Sequence, residues 1–291
     1  MESPYKQRPR SSGGFLETIM SNRIQQSFSA LKHEARAGLI TFITAGDPSA
    51  EATLAIMHAL VRSGADLIEL GVPFSDPMAD GPTIQRASER ALNAHMTLRG
   101  VIDIVRQFRQ HNITTPVVLM GYLNPIECLG YHEFARCAAE AGVDGVLTVD
   151  LPPEEARDLN QELRQTGLDV ISLLAPTSSP ARISAVCAEA SGFVYYVSVK
   201  GVTGDKTFAV DEVQQQITRV KAHTALPVGV GFGIRSPAQA AALAQISDAV
   251  IVGSALVEII ERSHPSLTAM TDAVEEFVAS LRAALDTRRA A

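Results

Sequence analysis

Cysteine is scarce in this chain of 291 residues: three in all, Cys128, Cys137 and Cys187, with no CxxC pair among them. So sparse and odd a count does not build a disulfide framework, suits a reducing compartment, and leaves these thiols as packing residues. Long apolar runs are missing as well. No stretch approaches the roughly 18 consecutive apolar residues of a membrane-spanning helix, and the first residues lack the apolar core of a secretory signal. Basic excess is absent: 25 Lys and Arg stand against 32 Asp and Glu, a formal net charge of −7. That balance argues against a nucleic-acid or anionic-membrane surface, and any bound phosphate has to be held locally. A cytoplasmic protein is expected. Several motifs are also wanting. There is no HExxH and no paired Cys/His spacing, so no metal site is expected; there is no GxSxG elbow and no Walker loop. The run Gly229-Val230-Gly231-Phe232-Gly233 does not complete GxGxxG, because the sixth residue is Ile234 counted from Gly229 and Ser236 counted from Gly231.

What is present is a large apolar fraction, 46%, enough to bury a substantial core. Residues 1–20 mix Ser, Gly, Pro, Arg and Lys without apolar periodicity and read as a disordered or non-native extension, which leaves 21–291 as a single domain. A helical pattern from Ser21 (Ile24, Phe28, Leu31) leads into a strand at 39–44 and a helix at 49–62. The alternation then recurs: strand 66–70 with helices 82–93 and 97–110; strand 116–120 with helix 131–141; strand 144–149 with helix 153–165. It continues as strand 168–174 with helix 179–190, strand 193–199 with helix 210–222, and strand 227–230 with helix 236–244. Strand 248–252 with helices 254–262 and 269–286 completes it. Eight βα units on short connections specify a parallel sheet with right-handed crossovers, and they fit a closed (β/α)8 TIM barrel with an additional N-terminal helix better than a doubly wound open sheet. Closure also removes both exposed edges.

Two kinds of chemistry gather at the C-terminal ends of these strands, where α/β folds build their sites. Three glycine-containing loops follow the last three strands: Gly201 to Gly204, Gly231 to Gly233, and Gly253-Ser254. Glycine lets backbone N–H groups approach an anion, and Gly253-Ser254 opens a helix whose N-terminus favours phosphate. The alternative is that these glycines only make tight turns. Glu69, near the end of a short apolar strand, is costly to keep charged and isolated, so it either has partners or titrates close to neutrality, where it both gives and takes a proton. Alternation puts Leu67 and Glu69 on one face and Asp66, Ile68 and Leu70 on the other, so Glu69 is placed to face the barrel axis. Asp80 lies eleven residues on, in a loop rich in Pro, Gly and Asp. The competing readings are a structural ion pair for Glu69 and an Asx-turn or helix cap for Asp80. Lys200, at the end of the sixth strand, is where a Schiff-base aldolase would place its nucleophile.

ELGVPFSDPMADGPTIQ (Glu69 to Gln85), VSVKGVTG (Val197 to Gly204), GFGI (Gly231 to Ile234) and VGSA (Val252 to Ala255) resemble the tryptophan synthase alpha chain family, and the likeness runs from Ser21 to Leu285. The resemblance implies cleavage of indole-3-glycerol phosphate to indole and D-glyceraldehyde 3-phosphate, a retro-aldol reaction without metal or cofactor in this chain. It implies that Glu69 protonates the indole C3 and accepts the glycerol hydroxyl proton, and that Asp80 stabilises the positive indole N–H. It further implies that Phe42, Leu147, Tyr195 and Phe232 line the indole slot, and that Gly204, Gly233, Gly253 and Ser254 hold the phosphate. By the same resemblance the partner, in an alpha2beta2 heterotetramer, is a beta subunit that carries pyridoxal phosphate and receives indole through a tunnel. A stand-alone lyase releasing indole would use the same residues.

Overall fold

The computed structural model describes residues 22–197, 210–231 and 233–286. The expected extension 1–20 lies outside them. The first helix, α1 (Arg23–His33), is followed by β1 (Gly38–Thr44), α2 (Ala50–Arg62), β2 (Leu67–Gly71), α3 (Pro82–Asn93), α4 (Leu98–Arg109) and β3 (Val117–Gly121). Next come α5 (Leu123–Leu129), α6 (Tyr131–Ala141), β4 (Gly145–Thr148), α7 (Arg157–Gln165), β5 (Asp169–Val170), β6 (Ser172–Leu174) and α8 (Pro180–Glu189). The chain ends in β7 (Val194–Val197), α9 (Val210–Lys221), β8 (Val228–Gly231), α10 (Pro237–Ala244), β9 (Ala249–Val252), α11 (Ser254–Ser263) and α12 (Leu267–Asp286). Among these residues no helix is long and apolar enough to cross a membrane.

All strand pairs are parallel, in the order β5-β4-β3-β2-β1-β9-β8-β7-β6. The two ends of that order, β5 and β6, are halves of the single fifth strand expected at 168–174, interrupted at Ile171. Asp169 and Val170 pair with Gly145 and Val146 on one side, whereas Ser172 to Leu174 pair with Val194 to Tyr196 on the other. Closing a barrel of tilted strands staggers each pairing relative to the next, and strand five is where the chain changes partner. The (β/α)8 barrel is therefore closed through this one strand.

Two local departures have plain causes. The connection after β3 contains the short α5, which an Asn-Pro pair (Asn124-Pro125) disguises as a turn, and Gly130, at φ +87°, parts it from α6. The helix expected from 153 starts at Arg157, because Pro152 and Pro153 head two turns, closed by the N–H groups of Glu155 and Ala156.

Side chains along β2 divide as period 2 requires. Leu67 packs inside the barrel with Ile40, Val118 and Ile251, while Ile68 and Leu70 belong to the shell beneath the helices, with Ile43, Ile56 and Leu119. Glu69, between Ile68 and Leu70, faces the interior by the same rule. The N-terminal end of the barrel is sealed by the additional helix: Ile24 is fully buried against that interior cluster, and Phe28 meets Phe193 at 5.8 Å between ring centres. Only the C-terminal end remains for a site.

Candidate active site at the C-terminal rim

Glu69 is paired in register with Phe42 on β1 and Val118 on β3, and is wholly enclosed. Neither carboxyl oxygen has a hydrogen-bond partner among the described residues, so the ion-pair reading of this residue does not hold. With water removed and nothing in its place, burial pushes the Glu69 pKa up to about 8. At neutral pH it holds its proton.

Asp80 sits in the connection between β2 and α3, with its backbone N–H donating to the Pro77 carbonyl at 3.0 Å. Its carboxylate does not cap α3, since Gly81 is the N-cap residue and supplies no side chain. Instead Oδ2 accepts the Tyr122 hydroxyl at 3.0 Å. Burial raises the Asp80 pKa and this hydrogen bond pulls it back. Tyr195, on β7, is held well above its ordinary range by burial, then by Glu69, then by Asp80. One phenol thus registers both carboxyl groups, which places the three side chains in one electrostatic neighbourhood.

A cavity of about 440 Å³ opens beside them. Phe42, Met120, Val149, Leu173, Tyr195 and Ile251 make its apolar side, and Asp80 stands at its mouth. Gly231, Gly233, Gly253 and Ser254 make the other. There α11 begins at Ser254 with no side-chain cap, so its first backbone N–H groups are left for an anion. The aromatic wall depends on close approach by backbone: a Cβ on Gly71 would lie 2.6 Å from Phe42 Cζ, and one on Gly231 would overlap the Tyr195 hydroxyl.

Of the residues singled out in the sequence, Phe42, Asp80, Tyr195, Gly233, Gly253 and Ser254 meet at this cavity. Glu69 adjoins it through Phe42 without lining the open volume. Leu147 does not line it either. It is fully buried one layer down in the barrel interior, and Val149, on the same face two residues on, takes the place expected of it. Gly204, Phe232 and Lys200 lie outside the described residues. The sequence reading missed Met120, Val149, Leu173 and Ile251, which continue the inward alternation of Val118, Leu147, Ile171 and Ala249 by one step. It also missed Tyr122, one further step along the alternation of Val118 and Met120, just past the end of β3.

A parallel eight-unit barrel with one sealed end, and at the other a cavity that joins a half-buried carboxyl to glycine amides beside a second, fully buried carboxyl, defines a TIM-barrel enzyme of acid–base chemistry. The family model described as tryptophan synthase alpha chain matches residues 28–286. Curated tryptophan synthase alpha chains from Thioalkalivibrio sulfidiphilus and Burkholderia thailandensis are each 57% identical over 265 residues, covering 91% of this chain and 100% and 97% of theirs. The crystal structure of tryptophan synthase subunit alpha from Legionella pneumophila superposes with a TM-score of 0.86 at 45% identity, over 92% of this chain and 99% of that one. The chain belongs to the tryptophan synthase alpha chain family, the lyase subunit that cleaves indole-3-glycerol phosphate in tryptophan biosynthesis.

Proposed function

We propose that this cavity carries out the cleavage, with Glu69 and Asp80 dividing the proton work. Glu69, turned toward the substrate, gives its proton to the indole C3 and takes one from the glycerol hydroxyl as the carbon–carbon bond breaks, releasing indole and D-glyceraldehyde 3-phosphate. No net proton is consumed. Asp80 receives the indole N–H and balances the positive charge that C3 protonation creates. Phe42 and Tyr195, with Met120, Val149, Leu173 and Phe232, flank the ring. Gly233, Gly253 and Ser254, with Gly204, take the phosphate through backbone amides. The observation that carries this reading is the isolation of Glu69, a carboxyl inside a barrel with no hydrogen-bond partner among the described residues and its pKa pushed up to about 8. Two carboxyls in different environments are what a split between proton donor and ionised stabiliser requires.

The partner in this reading is a beta subunit that carries pyridoxal phosphate, in an alpha2beta2 assembly in the cytoplasm, and this chain itself uses no cofactor. In support, Met78, in the loop that carries Asp80 and next in the chain to Ala79 of the cavity lining, is 82% exposed. The test is to incubate the purified chain with indole-3-glycerol phosphate, with and without a beta subunit, and assay for indole. Glu69→Gln keeps the shape and removes proton transfer, so it is expected to lower indole formation by at least about a hundredfold while folding and ligand binding persist. A near wild-type rate from that variant overturns the assignment.

A further inference from the structure

The site holds a polar side chain to which the reaction above gives no part. Tyr122, buried at the end of β3, touches the loop of Asp80 at three points. Its ring stacks on Phe74 near the start of the loop, with 5.1 Å between ring centres and planes 28° apart. Its hydroxyl accepts the Ala79 backbone N–H at 2.9 Å and donates to Asp80 Oδ2 at 3.0 Å, both near the loop's end. The rest of the loop is held by its own backbone turns and by Gln85 Nε2, which donates to the Asp80 carbonyl at 3.0 Å.

We propose that Tyr122 is the positioning residue of this site: its hydroxyl fixes one oxygen of the Asp80 carboxylate and clamps the backbone beside it, so that the other oxygen is presented to the substrate. The inference rests on the reading of Asp80 as the ionised partner of the substrate. A phenol suits the task because it donates and accepts at one atom, and the ring makes it rigid. Held by burial and by Asp80 above its ordinary range, Tyr122 remains a donor throughout neutral and mildly alkaline pH. It also separates the two carboxyls chemically, since among the described residues Asp80 is given a hydrogen bond to its charged form and Glu69 is given none. The titratable groups gathered about Asp80 are Tyr122 at the end of β3, Tyr195 on β7 and Glu69 on β2, with Asp150 acting on Tyr122 from beyond β4. Among the described residues no cation contributes at Asp80 or Glu69. Removing the Tyr122 hydroxyl leaves burial unopposed and raises the Asp80 pKa.

Tyr122→Phe is therefore expected to lower kcat/KM about ten- to a hundredfold, mainly through kcat, the cost of one hydrogen bond to a charged group. It should also move the acid limb of the pH profile upward, and a carbon-13 NMR titration of Asp80 should move the same way. An acid limb and an Asp80 titration that stay in place overturn the proposal even if the rate drops, because loss of packing alone leaves both unmoved. In an Asp80→Asn background Tyr122→Phe should cost nothing further, and a second full loss there overturns it too. Wild-type activity from Asp80→Asn alone overturns the role of Asp80 itself, and the NMR titration then decides the Tyr122 contact independently.

Discussion

At the scale of the residue, Glu69 works against the fold that houses it. Its carboxyl ionises near 4.5 in the unfolded chain and near 8 when enclosed. Below about pH 4.5 both states hold the proton, and the group is neutral to stability. Between the two values the folded chain alone keeps it, so the unfolded state is favoured as pH rises, until the loss levels off above about 8. Glu69→Gln abolishes this titration, since an amide is neutral at every pH. The variant is expected to be more stable than the parent by an amount on the order of a few kcal/mol at mildly alkaline pH, with the difference vanishing in mild acid. Urea unfolding midpoints across that range measure it, and a variant less stable at alkaline pH would contradict the isolation of this carboxyl. The same ionisation sets activity. Donation to C3 needs the protonated acid, so kcat/KM of the parent chain should fall as pH passes upward through about 8, read from initial rates of indole release.

At the scale of the element, strands carry the site because alternation and register decide which side chains meet. The inward face of β2 was legible from period 2 alone: Leu67 and Glu69 against Ile68 and Leu70 divide as the pattern demands. What was not legible is depth. Sequence tells which face Leu147 and Val149 share but not where the barrel's stagger puts the rim, and it is Val149, not the Leu147 that the resemblance implied, that lines the open volume. The break at Ile171 is hidden for the same reason, because a change of strand partner is a property of closure and not of the segment. Tyr122 meets Asp80 across 42 residues of chain, a contact that no local pattern encodes. Two glycines at strand ends serve the aromatic wall, which their place in the sequence does not announce: Gly71 and Gly231 give room to the rings of Phe42 and Tyr195. Gly231→Ala is accordingly expected to leave the barrel folded at a cost of about 1–3 kcal/mol, from forcing the Tyr195 ring aside. It should also depress kcat/KM by narrowing the cavity. A thermal melt with indole-release kinetics checks both, and an alanine tolerated in both would mean that the ring shifts without consequence.

At the scale of the whole molecule, the two ends of the barrel differ in design: the open end encloses the Glu69 carboxyl, which has no hydrogen-bond partner among the described residues, and the sealed end pairs its carboxylates repeatedly. At the sealed end an aspartate stands one residue before β2, β4 and β9, and each closes the same clasp. The backbone N–H groups of Asp66, Asp144 and Asp248 donate to the carbonyls of Leu39, Val117 and Val228, and their carboxylates accept the N–H of those same residues at 2.8, 2.7 and 2.8 Å. Each then takes a cation from a helix: Arg282 for Asp66, Arg109 for Asp144, Lys221 for Asp248. The carboxylates are 17%, 4% and 38% exposed in that order, and desolvation should rank their importance. Replacing Asp144 by Ala leaves the Val117 amide unpaired and Arg109, its pKa already pushed down to about 10 by burial, without its counter-charge. A loss of about 3–5 kcal/mol follows for such a buried site. Asp66→Ala should cost less, and Asp248→Ala, whose partner is half in water, about 1 kcal/mol. Because the sealed end never meets the substrate, kcat/KM of whatever fraction remains folded should be unchanged in all three. Urea midpoints paired with active-site-normalised rates test the ranking, and a clasp variant that folds well but turns over slowly would show that the two ends are coupled.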